Sequence, residues 1–126
     1  MNGAAIIEEL FNLSSDIRYA AIYHNDHLDF VQREQIGNNS SEVSDKYEEL
    51  LVNPTLLKLA GQRGNIDCGG LRYLIVGYGN FYQIVKGTSK GHVSICIEKI
   101  ADLNKLPDQI FDFLKNKHPE LELAPN

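Results

Sequence analysis

The sequence predicts a small α+β domain, a five-stranded antiparallel sheet with helices packed on it in the order α-β-β-α-β-β-β-α. Residues typical of strands form a hairpin pattern over 17–33 and a three-strand meander pattern over 71–99. A helical pattern over 44–63 separates the two strand clusters, and a closing amphipathic helix is predicted over 107–117. This order of elements is what predicts the fold class.

The composition fits one ordinary domain. The chain has 126 residues, 43% hydrophobic and 23% charged, and domains commonly hold about 100–150 residues. We expect a single domain over 1–118 and a flexible C-terminal tail over 119–126, where hydrophobic residues are few.

Charge and hydropathy exclude several classes of partner. No apolar run approaches the ~20 residues of a membrane span, so we expect no membrane partner. Glu8 and Glu9 interrupt the short apolar stretch near the N-terminus, which is atypical of a secretory signal and favours a cytoplasmic protein. The net charge of -5 argues against nucleic-acid binding, which depends on Lys and Arg.

The N-terminal part predicts a helix followed by a hairpin. The segment 4–13 places Ile6, Ile7 and Leu10 at helical spacing. Strand-forming residues follow over 17–23, and the polar segment 24–27 predicts the turn before the second strand.

The central segment predicts a long amphipathic helix. Its apolar residues recur at i, i+4, i+7 and i+8 on one face, while acidic and basic residues occupy the other face. The apolar set is Val43, Tyr47, Leu50 and Leu51, and the charged set is Asp45, Lys46, Glu48 and Glu49. Asn53 before Pro54 predicts a kink or a second helix capped by Asn53, and Gly61 is the expected end.

The meander has a predicted register. Gly79-Asn80 suits a two-residue type II′ turn, which places Val76 opposite Gln83 and Ile75 opposite Ile84. Both faces of this hairpin are then largely apolar, so a helix, a ligand or a second subunit must cover the second face. The last strand alternates, with Val93, Ile95 and Ile97 predicted inward and His92, Ser94 and Glu98 outward.

No catalytic or metal signature is visible. The densest group of candidate ligands is His24, Asp26, His27 and Asp29. Residues three apart on a hairpin point to different sides, so these are interpreted as solvated turn residues. Cys68 and Cys96 lack a CxxC partner, and nothing favours pairing Cys68 with His24 or His92 as nucleophile and base. We therefore expect no enzyme, no cofactor and no metal.

The strand Ile17-Arg18-Tyr19-Ala20-Ala21-Ile22-Tyr23 and the strand-loop-helix ending over 98–114 resemble the roadblock (dynein light chain) family of small, profilin-like domains. The layout is also similar to that of short uncharacterised archaeal proteins. The roadblock resemblance implies a non-enzymatic homodimer in which the long helix and the following strand pair across a two-fold axis. It implies an interface at Tyr47, Leu56, Leu57, Leu71, Tyr73 and Ile75. The implied function is protein-protein interaction, with itself and with a small GTPase or other regulatory protein.

Two other function classes stay open. The element order is also that of PAS-like sensor domains, which enclose a small ligand between the sheet and central helices. Tyrosines in or beside the strands could line such a pocket: Tyr19, Tyr23, Tyr73, Tyr78 and Tyr82. A small enzyme using Cys68 or the His24 group is the third hypothesis, although the sequence shows no base or oxyanion device for it.

Overall fold

The fold is an open five-stranded antiparallel sheet with helices on both faces, as the sequence predicts. A computed structural model describes residues 1–34 and 37–125. The strands are β1 (Ile17–His24), β2 (His27–Gln32), β3 (Leu74–Gly77), β4 (Tyr82–Thr88) and β5 (Gly91–Ile97). They lie in the order β2-β1-β5-β4-β3, so the chain between β2 and β3 must cross from one sheet edge to the other.

The N-terminal helix and hairpin form where the sequence predicts them. Helix α1 spans Gly3–Leu13, and the side chain of Asn2 caps it by accepting a hydrogen bond from the Ala5 amide. β1 and β2 are joined at Asn25 and Asp26, whose φ values of 52° and 63° are those of a type I′ turn. Asn and Asp tolerate this left-handed conformation better than most residues, which explains a tight turn without glycine.

The crossover is a long helix made of three successive segments: α2 (Glu42–Tyr47), a π-helical turn (Glu48–Val52) and α3 (Asn53–Asp67). Ser41 caps its start by accepting from the Ser44 amide. The expected kink or second helix at Pro54 is a π-helical turn ahead of the proline, and Asn53 is helical (φ -63°, ψ -45°) instead of being a cap. The helix also runs past Gly61 to Asp67. In the described part of the chain, no helix is long and apolar enough to cross a membrane.

The meander has the predicted register. Val76 pairs with Gln83, Ile75 with Ile84 and Leu74 with Val85. The Tyr78 amide donates to the Phe81 carbonyl across the turn at 2.9 Å. Gly79 lacks the positive φ of the type II′ turn that we expected, so the predicted turn type is wrong although the pairing is right.

One face of the sheet, called the first face, packs against α1 and against α4 (Leu106–Lys117). The alternating side chains of the strands supply its core together with one side of each helix. The fully buried members include Ile7, Leu10, Ile17, Ile84, Val93, Ile95, Ile97, Ile110 and Leu114. The opposite face, called the second face, lies under the long helix.

The C-terminal residues pack on the domain, which corrects the predicted tail over 119–126. Leu121 is fully buried in the first-face core, after a short 3₁₀ turn at Pro119–Leu121. The Glu122 carbonyl accepts from the Ser89 amide, and the Ala124 amide donates to the Gly87 carbonyl. The few hydrophobic residues of this segment are enough to hold it on the domain, because Leu121 fills the end of the core. Asn126, the last residue of the predicted tail, lies outside the described residues.

Candidate functional site

The long helix buries acidic residues against the sheet and exposes its apolar side. Its apolar residues point away from the sheet and form a surface that we call the outer stripe: Val43, Tyr47, Leu50, Leu51, Leu59 and Ile66. Each of these side chains is between 53% and 80% exposed. The acidic residues Asp45 and Glu49, which belong to the predicted charged face, are buried.

The buried acidic side is held by polar residues of the second face. The Glu49 side chain has no solvent exposure, and one of its oxygens accepts from the Tyr19 hydroxyl at 2.7 Å. The other oxygen accepts from the Asn53 amide nitrogen at 2.9 Å and lies 2.8 Å from His92 Nε2. A buried carboxylate is tolerated only when such donors satisfy it. These partners explain why Glu49 faces the sheet.

The network continues from Asn53 into the middle of the second face. The Gln83 amide nitrogen donates to Ser94 Oγ at 2.6 Å, and the Asn53 amide nitrogen lies 3.4 Å from the same oxygen. Ser94 and His92, predicted to face outward to solvent, therefore lie buried beneath the long helix. The alternation predicted for β5 is right, but its polar side is covered.

Asp45 and Glu48 extend the acidic region along the helix. Asp45 accepts from the Gln32 amide at 2.9 Å and from the Ser40 hydroxyl. Glu48, at the rim, accepts from the Tyr78 hydroxyl at 2.9 Å. These contacts tie the helix to β2 on one side and to the β3-β4 turn on the other.

The crowding of carboxylates shifts the pKa values of nearby groups. Burial, together with repulsion from Glu49 and Asp45, raises the pKa of Glu48 despite the opposing hydrogen bond from Tyr78. Burial and the Glu48 carboxylate raise the pKa of Tyr78 to about 12. Burial, reinforced by the carboxylates, also raises the pKa of the Cys96 thiol, so this thiol is kept protonated.

A cavity of about 200 Å³ lies between the long helix and the second face. We call it the helix-sheet cavity. It is lined by Tyr19, Ser40, Ser44, Asp45, Glu48, Glu49, Tyr78, Phe81, Gln83 and Cys96. Its lining combines three carboxyl groups with hydroxyl groups and three aromatic rings, and among the described residues it contains no Lys, Arg or His side chain.

The β3 edge of the sheet adjoins the helix. β3 pairs only with β4 in the described residues, so its other side is an open edge. Ladder bonds of antiparallel strands alternate, and the bond between Tyr78 and Phe81 implies that Ile75 and Gly77 direct their backbone groups outward. The Ile75 side chain is 38% exposed. The outer stripe and this edge are joined through the contact of Tyr78 with Glu48.

The six predicted interface residues lie in three different environments. Tyr47 and Leu56 are exposed on the long helix, and Ile75 is exposed at the open edge. Leu57 and Leu71 are half-buried. Tyr73 lies apart from these, because it packs on the first face with its ring 5.5 Å from that of Phe111.

The predicted pocket tyrosines are similarly divided. Tyr19 and Tyr78 line the helix-sheet cavity, and Tyr23 stacks on His92 with ring centroids 5.7 Å apart. Tyr73 and Tyr82 pack against the first-face core. Two of the five tyrosines therefore share one cavity.

The side chains considered as metal ligands or catalytic groups do not converge on one site in the described residues. His27 Nε2 lies 3.3 Å from Asp29, and the Tyr23 hydroxyl donates to Asp26, both at the surface. No group of three His, Cys, Asp or Glu side chains suited to a metal occurs within residues 1–34 and 37–125. The exposed Cys68 contacts Arg63 and Asp67, whereas His92 is held by Glu49 on the second face. These contacts do not join Cys68 to His92 as a nucleophile-base pair.

Sequence reasoning missed the polar network between the helix and the sheet. One signal was present: Gln83, His92 and Ser94 recur at alternate positions of neighbouring strands, on the same face as Tyr19. A polar stripe across central strands needs polar partners, and the spacing of Asp45, Glu49 and Asn53 at i, i+4 and i+8 supplies them.

Comparison with known proteins adds no relative: no protein-family model matches this chain, and no curated protein is significantly similar to it.

Proposed function

We propose that this chain is a non-enzymatic, cytoplasmic interaction module that acts as a homodimer of the roadblock type. The observation that carries the proposal is the outward orientation of the apolar side of the long helix, while its acidic side is buried. The resemblance of the first strand and of the C-terminal segment to the roadblock family supports the same proposal. The exposed free thiol of Cys68 is compatible with a reducing compartment.

The outer stripe is a surface that gains from being covered. Single exposed hydrophobic residues are ordinary, but six along one helix form the kind of patch that marks an interaction site. Burying apolar area contributes about 25 cal/mol per Å², so several leucine-sized side chains supply enough free energy for association. Burial within one chain would require the helix to turn, which would place Glu49 in solvent and leave its three partners unsatisfied.

A second copy fits this surface better than an unrelated partner. Two-fold symmetry would pair each outer stripe with itself and bring two β3 edges together, extending the sheet across the axis. The charges along the helix suit an antiparallel pair. The N-terminal half carries the exposed Glu42 and Lys46 and the half-buried Glu48, and the C-terminal half carries the exposed Lys58, Arg63 and Asp67. An acidic half would thus meet a basic half. A small GTPase or other regulatory protein, as the resemblance implies, would bind the assembled dimer.

Measuring the solution mass tests the dimer. We expect untagged protein to have a mass near twice 14.2 kDa by light scattering. Leu51→Glu should raise the dimer dissociation constant at least tenfold, because it places an unpaired charge in the interface. The monomer should stay folded, since Leu51 is already 53% exposed.

Ile100→Glu is the matched control for this variant. Ile100 is 87% exposed but lies outside the long helix, so its replacement should leave the dimer unchanged. Ile75→Pro tests the strand edge separately: it removes an outward N–H and should weaken the dimer only if the β3 edges pair. A monomeric wild-type protein, or a Leu51→Glu dimer as tight as the wild type, would overturn the proposal.

A second candidate function is small-molecule sensing of the PAS type. The helix-sheet cavity favours it, because the cavity lies where such a sensor would hold its ligand, between sheet and central helix. Tyr19 and Tyr78 support it as lining residues. Its test is direct binding of a small ligand, with the solution mass measured before and after.

A further inference from the structure

We propose that the helix-sheet cavity binds a small organic cation that donates hydrogen bonds, an alkylammonium or guanidinium ion. The inference rests on the second candidate function, whose ligand class it names, and it is independent of the homodimer. It follows from the chemistry of the lining, from one buried polar atom without a partner, and from the size and opening of the cavity.

The lining is rich in acceptors and negative charge. Asp45, Glu48 and Glu49 contribute three carboxyl groups, and the lining includes no Lys, Arg or His side chain. Outside the lining, His92 Nε2 lies 2.8 Å from Glu49, and the Arg18 guanidinium lies 5.0 Å from the Phe81 ring centroid. Arg18 is engaged by the backbone carbonyls of Gly37 and Asn38. The carboxylates accept from neighbouring hydroxyl and amide donors, but no cationic side chain of the described chain lines the cavity, so a ligand entering it meets an acidic lining.

A buried amide oxygen points independently to a missing donor. Gln83 lines the cavity and is 98% buried, and its amide nitrogen is held by Ser94 Oγ at 2.6 Å. Its amide oxygen has no hydrogen-bond partner. An unsatisfied buried acceptor is costly, and a ligand with N–H groups would satisfy it.

Repulsion among the carboxyl groups also favours a cationic ligand. Burial raises the pKa of Glu48, and the repulsion of Glu49 and Asp45 contributes to that rise. A cation between these groups would replace repulsion with attraction and favour their charged forms. An anion or a purely apolar molecule would meet the same carboxylates without any compensating charge.

Size and access limit the cation to a small one. A volume of about 200 Å³ accommodates a few non-hydrogen atoms. Ser44 and Tyr78 are exposed, so the cavity opens to solvent beside them. The rings of Tyr78 and Phe81 stand edge to face with centroids 5.7 Å apart and offer a cation-π wall. The described residues bring no three metal ligands of the His, Cys, Asp and Glu types together, which favours an organic cation over a metal ion.

The test is titration of the full chain with ethylammonium and methylguanidinium, followed by calorimetry and amide chemical shifts. We expect saturable binding with a dissociation constant on the order of 1 mM, a limit set by so few ligand atoms. Shifts should concentrate at Glu48, Tyr78 and Gln83. Tetramethylammonium, which has charge but no N–H donor, should bind at least tenfold more weakly.

Two variants distinguish binding in the cavity from general attraction of cations to the acidic surface. Glu48→Gln should weaken binding at least tenfold, while Glu42→Gln, an acid exposed on the same helix outside the cavity, should leave it unchanged. Equal effects of the two variants, equal binding of tetramethylammonium, or no saturable binding of either probe would overturn the inference. Saturable binding that leaves the solution mass unchanged would support the cation site and refute only a sensor that acts through dimerisation.

Discussion

The burial of Glu49 predicts that removing one acidic side chain will destabilise this domain more than removing an apolar neighbour. Glu49→Ala leaves three buried groups without their acceptor: the Tyr19 hydroxyl, the Asn53 amide and the His92 ring. Each unsatisfied group costs about 1–3 kcal/mol, and water entering the adjacent cavity recovers part of that. We expect a loss of about 3–5 kcal/mol, a large share of the ~5–15 kcal/mol typical of a domain.

Glu42→Ala is the matched control, because it makes the same change on the same helix. Glu42 is exposed and pairs with Lys46 at 3.8 Å, so its loss should cost less than about 0.5 kcal/mol. Glu49→Gln keeps the shape and one acceptor oxygen, and we expect about 1–2 kcal/mol. The assay is urea unfolding monitored by circular dichroism, with all variants at one protein concentration and the m-value checked for constancy.

The opposite orientation of the helix makes the opposite prediction. If the apolar side faced the sheet, Leu51→Ala would cost about 2–5 kcal/mol at any protein concentration, and Glu49→Ala would cost almost nothing. A difference of less than about 1 kcal/mol between Glu49→Ala and Glu42→Ala would therefore refute the buried network. It would also remove the main support for the outer stripe as an interface.

Three further predictions concern the turns and one ion pair. Asp26→Gly should raise the free energy of unfolding by up to about 1 kcal/mol in urea titrations, because the φ of 63° there suits glycine; a loss would contradict the type I′ turn. Gly91→Ala should lower the free energy of unfolding by about 2 kcal/mol or more, because the added Cβ would lie 1.8 Å from the Tyr23 carbonyl oxygen. Gly87→Ala is the control: its added Cβ meets nothing within 4 Å, so it should change the melting temperature little. Burial opposes the charged form of His118, but the hydrogen bonds to Glu9 and Glu120 and the charges of these two carboxylates together outweigh it and raise the pKa of His118. The interaction of protonated His118 with Glu9 therefore stabilises the fold below about pH 6.5, and this contribution is lost as the pH rises through the elevated pKa. The free energy of unfolding of the wild type should exceed that of His118→Asn by less at pH 8 than at pH 6. An advantage that grows over this range would reverse the assigned sign.

Local patterns predicted the elements well because they depend on neighbouring residues. The spacing of Ile6, Ile7 and Leu10 predicted α1, and the two-residue turn at Gly79-Asn80 predicted the β3-β4 register, both confirmed by the structure. The turn type at Gly79 and the helix end at Gly61 were wrong, since glycine permits a turn or a helix end without requiring either.

The candidate site was predictable only in part. Tyr47, Leu56 and Ile75 were identified as surface residues by the implied dimer, and all three are exposed. The polar network beside the helix-sheet cavity was not anticipated, because its members Gln83, Ser94 and Glu49 are polar and far apart in the chain. A polar residue can be buried when donors and acceptors from several elements meet around it, and that depends on the fold.

The sequence by itself determined the order of helices and strands, the strand pairing within the hairpin and the meander, and the first-face core, since hydrophobic periodicity and turn residues act over short distances. The tertiary structure alone decided which side of the long helix faces the sheet. Burying Leu50 and Leu51 would have gained hydrophobic free energy, but the second face offers Tyr19, His92 and Ser94, polar groups that need hydrogen-bond partners. Glu49 and Asn53 satisfy those groups, and the cost of leaving them unpaired orients the helix and leaves its apolar side outward.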